Sequence, residues 1–228
     1  MNIDYLLKKA SDDERLTRDE LVGLLEFPCD SHEAYSMMSQ ANRIAKRLTG
    51  NTAEVHGQYS LNLSPCGCNC KFCSFASINK IFDKASEISA DEAVASAKLF
   101  EKNGANSIFV MTTAGYSLGK FLEISNEIRK NLREETVLIA NVGDQNPEQA
   151  RRIKDAGYQG VYHALRMREG TDTGIDPEKR KTSINNFIEA GLKVGTCIEP
   201  IGPEHTNEEI ADMISYTGSF PAAFSGAM

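Results

Sequence analysis

Strand-like and helix-like segments alternate along this chain from residue 58 onward, and this alternation limits the possible folds more than any other feature. Short apolar runs are each followed by a longer stretch that opens on a helix-capping residue. Helix-length connections between consecutive strands imply right-handed crossovers and a parallel sheet, either a barrel or an open doubly wound sheet. The predicted strands lie at 58–64, 107–111, 136–141, 160–165 and 192–198.

Two further segments flank this α/β core. A capping box at Thr17–Glu20 and helical apolar spacing from Ala34 to Leu48 predict an N-terminal helical segment over residues 1–54. At the other end, residues 220–228 begin like a sixth strand and stop, so we expect a chain truncated at its C-terminus. No linker or low-complexity stretch interrupts residues 55–228, which we predict to be one domain.

The cysteines are concentrated at the end of the first predicted strand. Four of the six lie within eight residues, in the run Cys66-Gly-Cys68-Asn-Cys70-Lys-Phe-Cys73. Thiols this close cannot all form disulfides of good geometry and more often bind metal, with zinc or an iron–sulfur cluster as the preferred partner. A structural zinc site needs four ligands, usually two separated pairs, and no second pair is present. The spacing of Cys66, Cys70 and Cys73 therefore predicts a [4Fe–4S] cluster that leaves one iron without a protein ligand.

The loop resembles a known family. Its CxxxCxxC spacing, with Phe72 before the last cysteine, is similar to that of radical S-adenosylmethionine (SAM) enzymes. The helical start and the βα units resemble the biotin-synthase-like subgroup, which includes biotin synthase, an [FeFe]-hydrogenase maturase and methylornithine synthase. The resemblance implies a partial (βα) TIM-like barrel over residues 55–228, with Cys66, Cys70 and Cys73 on the cluster and SAM on the open iron.

The same resemblance implies an activity. The reduced cluster would cleave SAM to a 5′-deoxyadenosyl radical, which abstracts hydrogen from a small biosynthetic or cofactor-precursor substrate. An electron donor such as ferredoxin or flavodoxin is implied as a partner. A non-catalytic iron–sulfur or zinc-binding barrel protein is the alternative class.

Candidate SAM contacts lie at the ends of the predicted strands. Many relatives carry Gly-Gly-Glu where this chain reads Thr112-Thr113-Ala114-Gly115, so the acid is missing and hydroxyls and carbonyls remain for the SAM ammonium. The next strand ends Asn141-Val-Gly143-Asp144, which resembles a glycine-containing end that cofactor approaches; a plain turn at Gly143 is the alternative. The resemblance assigns six cofactor-binding residues: Thr112, Thr113, Asn141, Arg166, Glu169 and Arg180.

The charged residues of this set are Arg166, Glu169 and Arg180, and each has a functional and a structural interpretation. A guanidinium inside a barrel needs an anion, and the SAM carboxylate would provide it for Arg166 through bidentate pairing. The alternative for Arg166 and Glu169 is a solvated strand end where neighbouring charges pair. Arg180 stands where the subgroup has an arginine that reaches the SAM carboxylate, although basic residues near a helix start usually mark a solvated face.

Three other residues are left with open roles. Cys68 is predicted to be a spare thiol in the loop. A ligand set that includes Cys68 is less favoured, because its spacing would crowd adjacent ligands. His163 is more often a satisfied core histidine than a functional one. Glu199 would be a substrate or ribose ligand if it points into the barrel, and is merely exposed if it points out.

One departure from the subgroup bears on the reaction. Biotin synthase holds a second, [2Fe–2S] cluster on cysteines of three strands, and the matching places here hold Val110, Ile139 and Gly195. Cys197 is near, two residues beyond Gly195. Biotin synthesis proper is therefore disfavoured within the enzyme class.

Charge excludes some partners. The chain has 25 Lys and Arg against 32 Asp and Glu, a net charge of −7, and its basic residues are dispersed. Nucleic-acid or anionic-membrane surfaces would require clustered basic residues, so we expect neither partner. No apolar run approaches the ~18–20 residues that span a bilayer, and the N-terminus lacks a signal-peptide pattern. These features predict a cytoplasmic protein acting on a small molecule.

Overall fold

The computed structural model describes residues 2–228, which form two compact units. The helical unit contains the described residues up to Ala53 together with Ile201–Phe220, and the sheet unit contains Glu54–Pro200 together with Pro221–Met228. The helices are α1 Ile3–Ser11, α2 Arg18–Leu25, α3 His32–Thr49, α4 Ala90–Lys102, α5 Leu118–Asn131, α6 Pro147–Asp155, α7 Pro177–Glu189 and α8 Asn207–Thr217. The strands are β1 His56–Ser60, β2 Asn62–Leu63, β3 Ser86–Glu87, β4 Ser107–Met111, β5 Val137–Asn141, β6 Gly160–Tyr162, β7 Lys193–Ile198 and β8 Ala222–Ala227.

The helices begin where the sequence places their capping residues. Thr17, Ser89, Asn146 and Thr206 each accept a hydrogen bond from the backbone N–H three residues on, and the side chain at that position bonds back. Such capping boxes satisfy N–H groups that have no partner within the helix. Pro177 opens α7, where its missing N–H costs nothing. Among residues 2–228, no helix combines the length and apolar character needed to cross a bilayer.

Within the helical unit, α1 packs on α3 and α2 packs on α8. An ion pair of 2.7 Å joins Lys9 to Glu20, and one of 2.6 Å joins Arg18 to Asp212. The Arg18 pair is exposed to solvent and therefore contributes little to stability.

The sheet unit is built on six parallel strands in the order β1-β4-β5-β6-β7-β8. Each strand lies beside the next one in sequence, whereas a doubly wound sheet reverses its order at a switch point. Helices α4, α5, α6 and α7 connect the first five of these strands. The α/β prediction is confirmed, and the sequential order selects the barrel-type arrangement over the doubly wound one.

Aromatic contacts show how strongly the sheet curves. The ring of Phe224 on β8 lies 6.2 Å from that of His56 on β1 and 6.3 Å from that of Phe109 on β4, although these strands are not its neighbours in the sheet. Tyr162 stacks on the other side of Phe224 at 6.3 Å. These side chains meet because the sheet curls around them, as in a partial barrel.

Two predicted strands end earlier than expected. The strand predicted over 58–64 stops at Ser60, and Asn62–Leu63 turns away to pair antiparallel with β3. As a result the alternation slips by one residue: Asn62 is buried and Leu63 is exposed. The strand predicted over 160–165 ends at Tyr162, although the N–H of His163 still bonds the carbonyl of Gly195 at 2.9 Å.

Candidate active site

A cavity of about 570 Å³ opens at the carboxyl ends of the parallel strands. In α/β sheets this edge is where ligands bind, because loops with free side chains gather there. The wall combines apolar residues with a few charged and sulfur-bearing side chains. The thiols and guanidiniums that line it belong to Cys66, Cys68, Cys70, Cys73, Arg166 and Arg180.

Backbone hydrogen bonds fold the cysteine loop into a compact turn. The N–H of Cys66 bonds the carbonyl of Phe75 at 2.6 Å, and the N–H of Cys73 bonds the carbonyl of Cys70 at 2.9 Å. Asn79 donates to the carbonyl of Cys73 at 2.9 Å and thereby closes the far side of the loop. All four thiols consequently face the same cavity.

The donor set suits a thiolate-bound group. The neighbouring Cys68 thiol lowers the pKa of Cys66, which favours the thiolate form that binds metal. Burial raises the pKa of Cys70, but the positive charge of Arg166 opposes that effect. Three soft sulfur donors from one loop fit an iron–sulfur cluster by their chemistry. Within residues 2–228, no three His, Cys, Asp or Glu side chains form a site for a single metal ion.

Cys68 contacts other residues of the chain. Interaction with Cys66 raises the pKa of the Cys68 thiol, and the carbonyl of Cys68 accepts the N–H of Gly174 at 2.6 Å. The same segment is tied to the loop through Lys71, whose side chain lies 2.6 Å from an Asp172 carboxylate oxygen. Cys68 thus joins the cysteine loop to the segment around residues 172–174.

Asn62 and Gly143 fix the connection that follows β4. Thr113 donates its N–H to the Asn62 side chain at 3.0 Å and accepts from the amide of Asn62 at 2.8 Å. A side chain at Gly143 would collide with the carbonyl of Ala114, so only glycine fits beneath this turn. Thr112, Thr113 and Asn141 all line the cavity.

The structure separates the roles of Arg166 and Glu169. Arg166 lines the cavity, and its Nη2 lies 3.6 Å from a carboxylate oxygen of Glu199, an ion pair that leaves donors free. Glu169 accepts from the Arg166 backbone at 3.0 Å and from the Thr173 hydroxyl at 2.7 Å. Both of its oxygens therefore hold the turn that carries Arg166, and its direct contact with a cofactor stays a prediction.

Arg180 is buried, which excludes the solvated-face alternative. Its side chain reaches from the first turn of α7 to the cavity wall, and its Nε lies 3.0 Å from Oδ1 of Asp144. Nε2 of His163 lies 3.0 Å from the same oxygen. Sequence reasoning gave Asp144 no role, although an acid directly after a strand-end glycine is a signal that could have identified it.

Two more side chains complete the wall beside β7. Glu199 points into the cavity, so the exposed alternative does not hold. The hydroxyl of Tyr162 is buried and has no hydrogen-bond partner among residues 2–228, and burial raises the pKa of Tyr162. A polar ligand group here would find an anion and an unsatisfied hydroxyl together.

The positions that match the second-cluster cysteines of biotin synthase are closely packed in this structure. A side chain at Gly195 would collide with the ring of Phe224, so no cysteine fits there without rearrangement. Val110 and Ile139 are buried and apolar.

Comparisons with known proteins agree with this geometry. A biotin synthase from Clostridium tetani is 29% identical over 197 residues, which is 82% of this chain and 59% of that protein. The chain thus spans somewhat over half the length of this relative. Methylornithine synthase has a similar fold, with a TM-score of 0.85 at 14% identity over 98% of this chain and 67% of the other.

A second solved structure has the same fold. HydG, a maturase of the [FeFe]-hydrogenase, has a TM-score of 0.79 at 16% identity, over 99% of this chain and 53% of that one. The profile of the Radical SAM superfamily matches residues 65–217, from the cysteine loop through α8. This chain is similar to biotin synthases and belongs to the radical SAM superfamily, membership that implies a [4Fe–4S] cluster and SAM as cofactors.

Proposed function

We propose that this chain forms the catalytic core of a radical SAM enzyme of the biotin-synthase-like type. Cys66, Cys70 and Cys73 would hold a [4Fe–4S] cluster, which would supply the electron that cleaves SAM to methionine and a 5′-deoxyadenosyl radical able to take a hydrogen atom from a small organic substrate. The observation that carries this proposal is that three thiols of one loop and two guanidiniums line one cavity at the carboxyl edge of the sheet. We assign residues 55–228 to this core and residues 1–54 to a helical segment before it.

The cysteines and the strand ends have separate tasks in this proposal. Cys66, Cys70 and Cys73 bind the cluster, and the lowered pKa of Cys66 favours its thiolate form. We assign Arg166 and Arg180 to the SAM carboxylate, for which a guanidinium is a strong partner. The hydroxyls and amide of Thr112, Thr113 and Asn141 offer hydrogen bonds to its other polar groups.

The cavity also suits the containment of a radical. Apolar side chains such as Met111, Val142 and Ile175 make up much of its wall. A site that excludes water protects a reactive intermediate from side reactions. Glu199 and Tyr162 are candidates for binding the polar end of the substrate.

The reaction proposed is not sulfur insertion from a second cluster, because the matching positions hold Val110, Ile139 and Gly195, which supply no thiolate. The substrate is a small biosynthetic or cofactor-precursor molecule. The partner is a one-electron donor of the ferredoxin or flavodoxin class, and the cytoplasmic location stays a prediction.

Anaerobic reconstitution tests the proposal. The 228-residue chain is loaded with iron and sulfide, reduced with dithionite and given SAM, and 5′-deoxyadenosine is measured by chromatography. We expect product from the wild type and none from Cys70→Ala. Cys29→Ala, at an exposed cysteine outside the loop, is the matched control and should match the wild type. A colourless, zinc-loaded protein without product would favour the metal-binding alternative.

A further inference from the structure

Arg180 is an unusual residue for the interior because its side chain carries a full charge and is only 4% exposed. Burying a charge is costly unless an opposite charge and hydrogen bonds surround it, and such groups are retained where they have a task. The groups that face Arg180 are Asp144, at the end of β5, and His163, at the end of β6. Neither belongs to the cofactor contacts assigned from the sequence.

Asp144 supplies the negative charge. Its Oδ1 lies 3.0 Å from Arg180 Nε and 3.0 Å from His163 Nε2, so one oxygen serves both partners. Burial works against ionisation, but the His163 hydrogen bond and the Arg180 charge keep the pKa of Asp144 below its ordinary value. The N–H of Nε is not aligned with the oxygen, so the contact is electrostatic.

His163 supplies an oriented neutral partner. Burial lowers its pKa to about 4, so the imidazole adds no second positive charge beside the guanidinium. An Nε2–H that donates to Asp144 leaves the Nδ1 lone pair for Arg180 Nη1, 3.3 Å away. Phe187 meets the ring edge-on at 5.0 Å and fixes its plane.

These contacts leave one end of the guanidinium for the cavity. Nε and Nη1 face Asp144 and His163, whereas Nη2 has no hydrogen-bond acceptor among residues 2–228. Arg180 nevertheless lines the same cavity as the cysteine loop. The arrangement points a charged donor at the site from a fixed position.

We propose that Asp144 and His163 are positioning residues that hold the Arg180 guanidinium where it meets the carboxylate of SAM. The inference rests on the proposed function and deepens it. Both residues act through Arg180, so they set the preference for a carboxylate-bearing ligand rather than SAM binding in general. Replacing the groups that orient a metal ligand commonly costs about 10- to 100-fold in affinity, and we expect an effect at the lower end of that range for the groups that orient Arg180.

Comparing the binding of two ligands distinguishes a positioning role of Asp144 from a general structural one. SAM and its decarboxylated analogue, S-adenosyl-3-methylthiopropylamine, are titrated into the reconstituted, unreduced protein by anaerobic calorimetry. The readout is the ratio of the analogue's dissociation constant to that of SAM. In Asp144→Asn we expect this ratio to fall by roughly tenfold. Asp155→Asn, an exposed acid at the end of α6, is the matched control and should keep the wild-type ratio.

A double-mutant cycle adds a second criterion. Arg180→Gln gives the ratio without the guanidinium, and adding Asp144→Asn to it should lower the ratio no further, because both changes act through one contact. His163→Gln replaces a neutral side chain by another and tests the same point if Asp144→Asn does not fold. Iron content and circular dichroism report the integrity of each variant.

The outcomes distinguish this inference from the proposed function. Equal weakening of both ligands, or an unchanged ratio in both variants, overturns the positioning role while SAM binding by the wild type stands. A wild-type protein with a full cluster that binds neither ligand overturns the proposed function and this inference with it.

Discussion

The buried imidazole of His163 makes the stability of the fold depend on pH. Its pKa is about 4 in the folded chain, against an ordinary 6.5. Between these values the unfolded chain binds a proton that the folded chain does not, so stability falls as pH drops from 6.5 towards 4. The slope is at most about 1.4 kcal/mol per pH unit.

His163→Gln should remove this contribution. The free energy of urea unfolding at pH 6.5 and pH 5 should therefore differ less in the variant than in the wild type. Asp144 affects stability in a lower pH range. Its pKa is lowered in the folded chain, so its stabilising contribution is lost only as pH falls through the range in which carboxyl groups titrate. Equal pH slopes in the two proteins would contradict this prediction. They would mean that the pKa of His163 is the same in the folded and the unfolded chain.

At the scale of elements, the turn after β4 rests on the end of β5. Gly143 lies against the carbonyl of Ala114, so a methyl group there meets backbone that cannot rotate away. Gly143→Ala should lower the free energy of unfolding by about 1–3 kcal/mol, the usual cost of overpacking.

Gly115→Ala is the matched control for this packing, because a methyl group at Gly115 meets nothing within 4 Å. Denaturant unfolding of both variants measures the difference. Equal stability of the two would show that the turn moves away from β5 without cost.

At the scale of the molecule, the cavity brings together side chains from widely separated parts of the chain. The cysteine loop, the ends of β4 and β5, and the start of α7 all contribute to it. An unfolded chain cannot assemble such a site, so a ligand that binds it stabilises the folded state, by about 2.7 kcal/mol when its concentration is 100 times its dissociation constant.

The unfolding temperature of the reconstituted protein should consequently rise with SAM concentration under anaerobic conditions. Cys70→Ala, without its cluster ligand, should show a much smaller rise. Scanning calorimetry measures both proteins at matched SAM concentrations. An equal rise in both would place SAM binding away from the cysteine loop.

Sequence reasoning recovered what depends on near neighbours in the chain. Capping boxes such as Ser89–Glu92 and Thr206–Glu209 lie within one helical turn, and they form where the residues predict them. The cysteine loop is equally local, since its thiols are spaced within eight residues. The predicted parallel sheet follows from the lengths of the connections, which fix strand direction.

The same reasoning could not reach contacts between distant segments. The burial of Asn62 depends on the turn after β4, and the ion pair of Asp144 with Arg180 depends on where α7 begins relative to β5. Phe224 covers Gly195 only because the sheet curls. Periodicity says which residues share a face, but not which faces meet.

The sequence by itself determined the order of helices and strands, their direction and the spacing of the thiols in the loop, because these are set by residues a few positions apart. The tertiary structure decided which charges face the cavity, that Glu169 holds a turn, and that Arg180 is held by Asp144 and His163. Those outcomes depend on sheet register and curvature, which arise only when all the strands pack together.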